Sequence, residues 1–157
     1  MTEPENAIAA ALSGANPKVM ARMRSGFAVI GDTQFLPGYS LLLSDDLEIS
    51  HLTELPRDKR RDFLFDLSLL GEATFAATRA TGAQRINYEV LGNSWPYLHG
   101  HVHVRYASEP ADKITGPVWR YPKELRNAPE HVYDERRDGP LRAAITKELV
   151  RVMSEAY

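Results

Sequence analysis

Three of the five histidines in this 157-residue chain lie within five positions, at His99, His101 and His103. They alternate with Gly100 and Val102, and a period of two with β-branched residues predicts a strand. Side chains two positions apart share one face of a strand, so we expect three imidazoles in a row, about 6–7 Å apart. Near neutral pH an imidazole can act as a nucleophile, carry a proton or bind a metal ion. The pattern therefore predicts a chemical site.

Two kinds of chemistry remain open for this row of histidines. A metal site would need further ligands, and Glu89, Asp32 or His51 are the available donors. Zinc sites do recruit such ligands from elsewhere in the chain, but these three residues show no recognisable zinc spacing. Nucleophilic or acid–base catalysis is the favoured interpretation, because a neutral imidazole attacks phosphorus and carbonyl centres readily.

Five short strands and two longer helices must position the histidines. The strands are predicted at 19–24, 27–30, 39–43, 85–91 and about 98–106, and the helices at 53–80 and from Asp138 as the N-cap to the C-terminus. A hairpin-length loop joins the last two strands, which predicts that they pair antiparallel. No strand–helix–strand alternation is present, so the expected class is α+β with an antiparallel sheet. A helical turn or two near 6–12 is expected to be a loosely docked extension.

The composition, 43% hydrophobic and 25% charged, is that of an ordinary globular protein, and the length predicts one domain over 1–157. A net charge of −2 gives no argument for a nucleic-acid polymer or an anionic membrane as partner. Glu3 and Glu5 precede only a short apolar run, which argues against a secretory signal, and no run reaches membrane-span length. The chain has no cysteine, so we expect a reducing, cytoplasmic setting.

The His-x-His-x-His-Val run at 99–104 resembles the signature of the histidine triad (HIT) superfamily, in which histidine alternates with hydrophobic residues. The order of the preceding elements is also similar: a hairpin ending at Asp32, a Pro-Gly turn at 37–38, an apolar strand and a long helix. The resemblance covers about residues 19–106. It implies a HIT-like five-stranded antiparallel sheet with one long helix and a C-terminal helix, flanked by an N-terminal extension (1–18) and a C-terminal tail (107–157).

The resemblance also implies roles for individual residues. His101, the middle histidine, would be the nucleophile that forms a nucleotidyl-histidine intermediate. His103 would contact the phosphate or the leaving group, and His99 would orient its neighbours. Asn93 would touch the phosphate, and Asp32 would bind ribose hydroxyls. Convergent donors at a phosphate stabilise the charge that its oxygens gather in the transition state.

The nucleotide base is expected to bind in a mostly apolar pocket around Phe27, Ile30 and Leu36. Gln34 is a lesser candidate for substrate binding. Trp95 is expected either to stack on the base or to serve as an ordinary packing aromatic.

Several residues depart from the superfamily pattern or fall outside it. Gly100 replaces a bulkier residue between the first two histidines, and a glycine in a strand often marks a bulge or a close backbone approach. Trp95 and Pro96 stand where many members carry Gln and Ser or Thr. Trp119, in the tail, is a candidate to fold over the site, and Arg105 is expected to face away from the histidines. His51 and His131 are expected to be ordinary surface or capping residues.

The implied activity is that of a nucleotide phosphohydrolase or nucleotidyltransferase acting at an α-phosphate. Nucleoside phosphoramidates and dinucleoside polyphosphates are the expected substrates, and a homodimer is the expected assembly. No cofactor is implied, although Mg²⁺ could accompany a polyphosphate substrate. Two alternatives remain: a nucleotide-binding HIT-like module with little catalysis, and a metalloprotein with histidine ligands.

Overall fold

The computed structural model describes residues 4–157, so Glu3 of the acidic start lies outside the described residues. The strands are β1 (Val19–Met23), β2 (Gly26–Ile30), β3 (Ser40–Ser44), β4 (Ala83–Glu89) and β5 (His99–Tyr106). They form a five-stranded antiparallel sheet in the order β1-β2-β3-β5-β4. The helices are α1 (Pro4–Leu12), α2 (Arg57–Thr78), α3 (Ala111–Ile114), α4 (Lys123–Arg126) and α5 (Glu135–Ala156). The predicted α+β class, with one long helix and a C-terminal helix, is confirmed.

The sheet buries two apolar faces, which is why most strand residues are enclosed. On one face, α2 and α5 pack against alternate residues of the strands. The buried residues of this helix-side cluster include Ala28, Ile30, Leu42, Phe63, Leu70, Val102, Ile145 and Leu149. Burial of this apolar surface is the main source of stability, at about 25 cal/mol per Å².

The N-terminal helix covers part of the other face of the sheet. Ile8 and Ala11 of α1 are buried against Phe27, Val29 and Leu43. The expectation of a loosely docked extension is therefore wrong, because an apolar stripe on α1 faces an apolar patch on β2 and β3.

The C-terminal helix begins earlier than the sequence predicts. Its N-cap is Asp134, whose Oδ1 accepts hydrogen bonds from the backbone N–H groups of Arg136 and Arg137. Asp138, the predicted cap, lies inside the first turns and accepts a bond from the backbone N–H of Asp134. Two aspartates four residues apart both suit a helix start, and here the upstream one satisfies the free amide groups.

The long helix is shorter than predicted and is preceded by a separate 3₁₀ turn, Leu52–Glu54. Pro56 stands at the N-cap of α2 with extended backbone, since proline cannot supply an amide hydrogen to a helix interior. None of the helices within residues 4–157 has the length and apolar character to cross a membrane.

Helix α2 packs tightly against β5 at Gly100. A Cβ atom built on Gly100 would lie 2.7 Å from Cδ1 and 2.8 Å from Cδ2 of Leu67 on α2. The glycine between the first two histidines therefore leaves room for the Leu67 side chain of the helix behind the strand, and of the two meanings predicted for it, a bulge or a close backbone approach, neither is the one seen.

Candidate functional site

The three histidines lie on one face of β5, the strand enclosed between β3 and β4. Leu43 and Leu41 of β3 stand opposite His99 and His101, respectively, while Asn87 of β4 stands opposite His103. All three imidazoles are buried, and His101 retains 8% of its surface. The intervening residues, such as Val102, face the helix-side core instead. One face of β5 therefore packs into the helix-side core, and the other face carries the histidines.

The middle histidine is held by a tyrosine that the sequence analysis missed. Nδ1 of His101 lies 2.8 Å from the hydroxyl oxygen of Tyr39, at hydrogen-bond distance. The Tyr39 ring also stacks on His103, with ring centroids 4.3 Å apart and an angle of 4° between the planes. Nε2 of His101 makes no hydrogen bond within the described part of the chain, so this nitrogen is available to a substrate.

The first histidine has a defined tautomer. Nδ1 of His99 lies 2.6 Å from the backbone carbonyl oxygen of Tyr97. A carbonyl can only accept, so Nδ1 of His99 carries the hydrogen and Nε2 carries the lone pair. The indole of Trp95 packs on this ring with centroids 4.6 Å apart, and the His99 and His101 rings meet edge to face at 4.7 Å. Trp95 therefore contacts the first histidine of the row.

The third histidine lies between an acidic strand residue and the tail. Nε2 of His103 is buried without a hydrogen-bond partner among the described residues and lies 3.7 Å from Oε2 of Glu89. Trp119 places its ring edge-on against both His103, at 5.4 Å, and His101, at 5.8 Å. Its indole N–H donates to Oε2 of Glu89 over 2.8 Å, and the Arg126 guanidinium lies over its ring at 4.7 Å.

Burial keeps the histidines neutral. It lowers the pKa of His101 to about 4, with the neighbouring His99 adding to the effect. Burial lowers the pKa of His103 to about 3, and the charges of His101, Arg105 and Arg126 act in the same direction. The pKa of His99 is lowered by burial as well. At neutral pH each ring therefore keeps a lone pair, which a nucleophile requires.

The contact between His103 and Glu89 is not a strong ion pair, because burial disfavours the charge on each side chain. Burial raises the pKa of Glu89, although the hydrogen bond from Trp119 and the charge of Arg105 oppose this rise. Since burial also lowers the pKa of His103, the enclosed site disfavours the charged form of both partners.

Arg105 faces the same side of β5 as the histidines, so the expectation that it faces away is wrong. His103 and Arg105 are two residues apart, and a regular strand places such a pair on one face. The guanidinium is buried, donates to Oδ1 of Asn87 over 2.9 Å, and forms a buried ion pair with Glu109. It also donates to the backbone carbonyls of Lys113 and Gly116. Arg105 therefore fastens the start of the tail beside the site.

The predicted polar ligands lie in different surroundings. The Asp32 carboxylate forms an ion pair with Lys18 and keeps 43% of its side-chain surface exposed. Gln34 is buried, and its amide binds backbone groups of Gly31, Gly38 and Tyr39. The Gln34 side chain thus braces the loop that leads into β3.

Asn93 lies exposed in the loop before β5. A cavity of about 210 Å³ opens near this loop beside His99. It is lined by residues of three segments: Ser50–Thr53, Val90–Gly92 and Tyr97–His99. His51 is exposed on the rim and makes a capping contact in the 3₁₀ turn.

The three residues expected around the base do not share one pocket. Phe27 lies in the cluster under α1, whereas Ile30 faces the helix-side core and Leu36 packs near Tyr106 and Tyr121. Phe27 and Ile30 are three residues apart on a strand and therefore point to opposite faces. The predicted pocket role of Ile30 is wrong for that reason.

Two residues at the site, Tyr39 and Arg126, were missed in the sequence, whereas Glu89 was considered there only as a metal ligand and Trp119 only as a candidate to fold over the site. Glu89 alternates with Tyr88 on β4, and this pattern already placed it on a face opposite the apolar residues. Tyr39 and the tail residues carry no local signal, because only strand register and the path of the tail bring them to the triad. Within residues 4–157, no group of three or more His, Asp or Glu side chains is arranged to hold a metal ion.

Solved structures of known proteins share this architecture. A histidine triad protein from Marinobacter aquaeolei VT8 is 26% identical, covers 85% of this chain and 89% of its own, and superposes with a TM-score of 0.68. A histidine triad protein from Sinorhizobium meliloti 1021 is 22% identical over 83% of this chain and 87% of its own, also with a TM-score of 0.68. The second similarity shows the fold alone.

A third structure extends the likeness to nearly the full chain. A hypothetical histidine triad nucleotide-binding protein from Sulfolobus tokodaii strain 7 is 11% identical, covers 92% of this chain and 91% of its own, and has a TM-score of 0.68. No protein-family model matches the sequence, and no curated protein matches it. The similarity is therefore found among solved structures.

Proposed function

We propose that this chain is a member of the histidine triad superfamily and that it is a nucleotide phosphohydrolase or nucleotidyltransferase acting at an α-phosphate. The observation that carries the proposal is the state of His101. Its Nδ1 is engaged by Tyr39, and burial keeps its pKa far below neutral. A neutral imidazole with a free Nε2 is a competent nucleophile toward phosphorus.

The reaction is proposed in two balanced steps. The Nε2 lone pair of His101 forms a bond to the α-phosphorus, and the bond from phosphorus to the leaving group breaks. Its electron pair departs with the leaving group, which takes a proton from solvent where it is basic. A water oxygen then attacks phosphorus, the N–P electron pair returns to Nε2, and the proton of water passes to solvent. An acceptor other than water would make the protein a transferase.

The remaining residues are proposed to support this step. His103 would contact the phosphate or the leaving group, since its Nε2 has no protein partner among residues 4–157. His99 would orient His101, against which it packs. The Arg126 guanidinium, which lies over Trp119, would contribute positive potential for a phosphate.

Contacts with the nucleotide itself are proposed for the loop residues around the triad. Asn93 would reach the phosphate and Asp32 the ribose hydroxyls, the latter after exchanging part of its ion pair with Lys18. Gln34 would act on the substrate only through the loop that it braces. Trp95 stacks on His99 and would form one wall beside the bound base.

The proposed substrates are nucleoside phosphoramidates and dinucleoside polyphosphates, whose α-phosphates suit attack by His101. A polyphosphate would bring its own Mg²⁺, because such ions are usually held by substrate phosphates and few protein groups. The absence of cysteine is the basis for proposing a reducing, cytoplasmic setting.

A nucleotide-binding protein with little catalysis is the second candidate. It is favoured by the cover over the triad, where Trp119 packs on both His101 and His103. Trp95 and Pro96 also stand where many superfamily members carry polar side chains. Tight mononucleotide binding without turnover would favour this candidate over the enzyme.

Intact-mass analysis tests the enzymatic proposal. The protein is mixed with an adenosine phosphoramidate or diadenosine polyphosphate, quenched, and weighed for a nucleotidyl adduct, while product nucleotide is measured in parallel. We expect an adduct in the wild type and its accumulation in His103→Ala. His101→Ala should lose adduct and turnover, whereas His51→Ala, an exposed histidine outside the row, should retain both. Turnover that survives in His101→Ala contradicts the mechanism.

A homodimer is proposed from the open edge of the sheet. β4 is an edge strand, so part of its backbone lacks a pairing strand. A groove of about 1030 Å³ runs along it, lined partly by Gln84–Glu89, and Val90 and Leu91 are exposed nearby. Sedimentation equilibrium should give twice the chain mass. Val90→Lys should weaken the dimer, and Val150→Lys, on the exposed side of α5, should not.

A further inference from the structure

Tyr39 reaches the triad because a fixed turn precedes β3. Gly38 has a φ of +90°, a conformation that residues with a side chain rarely adopt. Its backbone N–H donates to Oε1 of Gln34 over 2.9 Å, and Nε2 of Gln34 donates to the carbonyl of Tyr39 over 3.0 Å. The backbone on both sides of Tyr39 is therefore held before its side chain makes any contact.

The ring of Tyr39 is then fixed by the strand register. Ser40 stands opposite Val102 and Leu41 opposite His101. Tyr39, the residue just before β3, therefore lies beside His103. Its ring lies nearly parallel to the imidazole of His103, at 4.3 Å. This stacking leaves the hydroxyl oxygen 2.8 Å from Nδ1 of His101.

We propose that Tyr39 is a positioning residue for the nucleophile: its phenol oxygen accepts the Nδ1 proton of His101 and so leaves the lone pair on Nε2. The inference rests on the proposed function, in which Nε2 attacks phosphorus. It adds the residue just before β3 to the histidines of β5 and assigns that residue the choice of tautomer.

The intermediate of the reaction gives the strongest reason for this role. When Nε2 of His101 bonds to phosphorus, the ring becomes a cation and its remaining hydrogen lies on Nδ1. Within the part of the chain that the structure describes, the Tyr39 oxygen is the acceptor at that nitrogen. A buried cation without an acceptor would be costly, whereas a hydrogen bond to a charged group is among the stronger hydrogen bonds in proteins.

The phenol suits this task because it stays neutral. Burial raises the pKa of Tyr39 well above its ordinary value, and the charges of Asp32 and Glu89 raise it further. A neutral hydroxyl has lone pairs that can accept a hydrogen bond from Nδ1–H. Because it does not ionise to a phenolate, it does not form an ion pair with the imidazolium. His99 differs in kind, because its Nδ1 is bound by a carbonyl of the backbone, which no substitution removes.

The direct test reads the tautomer by ¹⁵N nuclear magnetic resonance at neutral pH, without substrate. In the wild type we expect a protonated, pyrrole-type Nδ1 and a bare, pyridine-type Nε2 for His101. In Tyr39→Phe the ring stacking remains possible and only the hydroxyl is lost, so the two tautomers should mix. Tyr157→Phe removes a hydroxyl at the end of α5, one that donates to the carboxylate of Asp66, and should leave the His101 signals unchanged.

Two results would overturn the proposal. One is a pyrrole-type Nε2 in the wild type, which needs no variant to fold. The other is an identical tautomer in the wild type and Tyr39→Phe. Neither depends on turnover, so a failed enzymatic proposal and a failed positioning role remain distinguishable.

Where turnover is measured, Tyr39→Phe should slow adduct formation about tenfold to a hundredfold with little change in KM. Tyr157→Phe should keep the wild-type rate. A rise in KM with an unchanged adduct rate would assign Tyr39 to substrate binding and contradict its role toward His101.

Discussion

At the residue scale, His101 combines a restrained nitrogen with a free one. Tyr39 fixes Nδ1 at 2.8 Å, and the enclosed surroundings lower the pKa to about 4. Positioning of this kind removes rotational freedom before the substrate arrives, which is one of the larger sources of catalytic rate. The same burial makes the chemistry and the stability depend on pH.

The rate should be nearly constant from about pH 8 to about pH 5 and should fall near pH 4, as His101 becomes protonated. A pH–rate profile with a midpoint near 6.5 would contradict this expectation.

The free energy of unfolding should decrease as the pH falls below 6.5. In the unfolded chain these histidines have pKa values near 6.5. Below that pH the unfolded state therefore binds more protons than the folded state, which favours unfolding. Each such histidine lowers the free energy of unfolding by about 1.4 kcal/mol per pH unit between 6.5 and its folded pKa.

Gly100→Val should lower the free energy of unfolding by about 1–3 kcal/mol, because the added atoms meet Leu67 behind the strand. Urea denaturation measures the change. Gly139→Ala is the matched control: its Cβ would meet the flexible side chain of Glu135 within α5, and alanine favours a helix interior by up to about 1 kcal/mol. Equal effects of the two substitutions would mean that Gly100 is not a packing position.

At the element scale, the tail is the cover of the site. Arg105 donates hydrogen bonds to the backbone carbonyls of Lys113 and Gly116. These bonds hold the first part of the tail beside β5. The tail then brings Trp119 against His101 and His103, where the indole donates to Glu89 on β4. The tail thus completes the enclosure that the sheet begins.

Trp119→Ala should raise the pKa values of His101 and His103 toward 6.5, because water then reaches both rings. Titration followed by nuclear magnetic resonance measures each histidine. Trp95→Ala serves as the control, since Trp95 packs on His99 and should change mainly that residue. Unchanged titration of His101 and His103 would mean that Trp119 does not enclose them.

Features set by local sequence patterns were predictable, whereas contacts between distant parts of the chain were not. The alternation in β5 and the helical period of α2 are properties of short segments, so both elements and the shared face of the histidines followed from the sequence. The partners of the histidines did not. Tyr39 lies 62 residues before His101, and sequence spacing alone does not reveal such a contact. Trp119 was a candidate to fold over the site, but its irregular segment did not show which histidines it would contact. Arg105 was predictable, since it stands two residues after His103 on one strand.

At the scale of the whole molecule, both ends of the chain complete the fold. α1 buries Ile8 against β2 and β3, and α5 adds Ile145, Leu149 and Val152 to the helix-side core. Tyr157 donates to the buried carboxylate of Asp66 on α2. The division into a core of about 19–106 with an extension and a tail remains a prediction, which segment deletion would test.

Leu149→Ala should lower the free energy of unfolding by about 2–5 kcal/mol, because it leaves a cavity between α5 and α2. Val150→Ala, at the adjacent position, is 60% exposed and should change stability by less than about 0.5 kcal/mol. Urea denaturation of both variants measures the difference. Similar small effects would show that α5 is not part of the cooperative core.

The chain contains two tryptophans, and they pack on opposite ends of the histidine row. Trp95 contacts His99 and Trp119 contacts His103. The intrinsic fluorescence of this protein is therefore a label-free report on the triad, in which a single-tryptophan variant isolates each end. Arrival of a nucleotide, formation of the adduct and its hydrolysis can be followed in real time as separate emission changes from the two indoles.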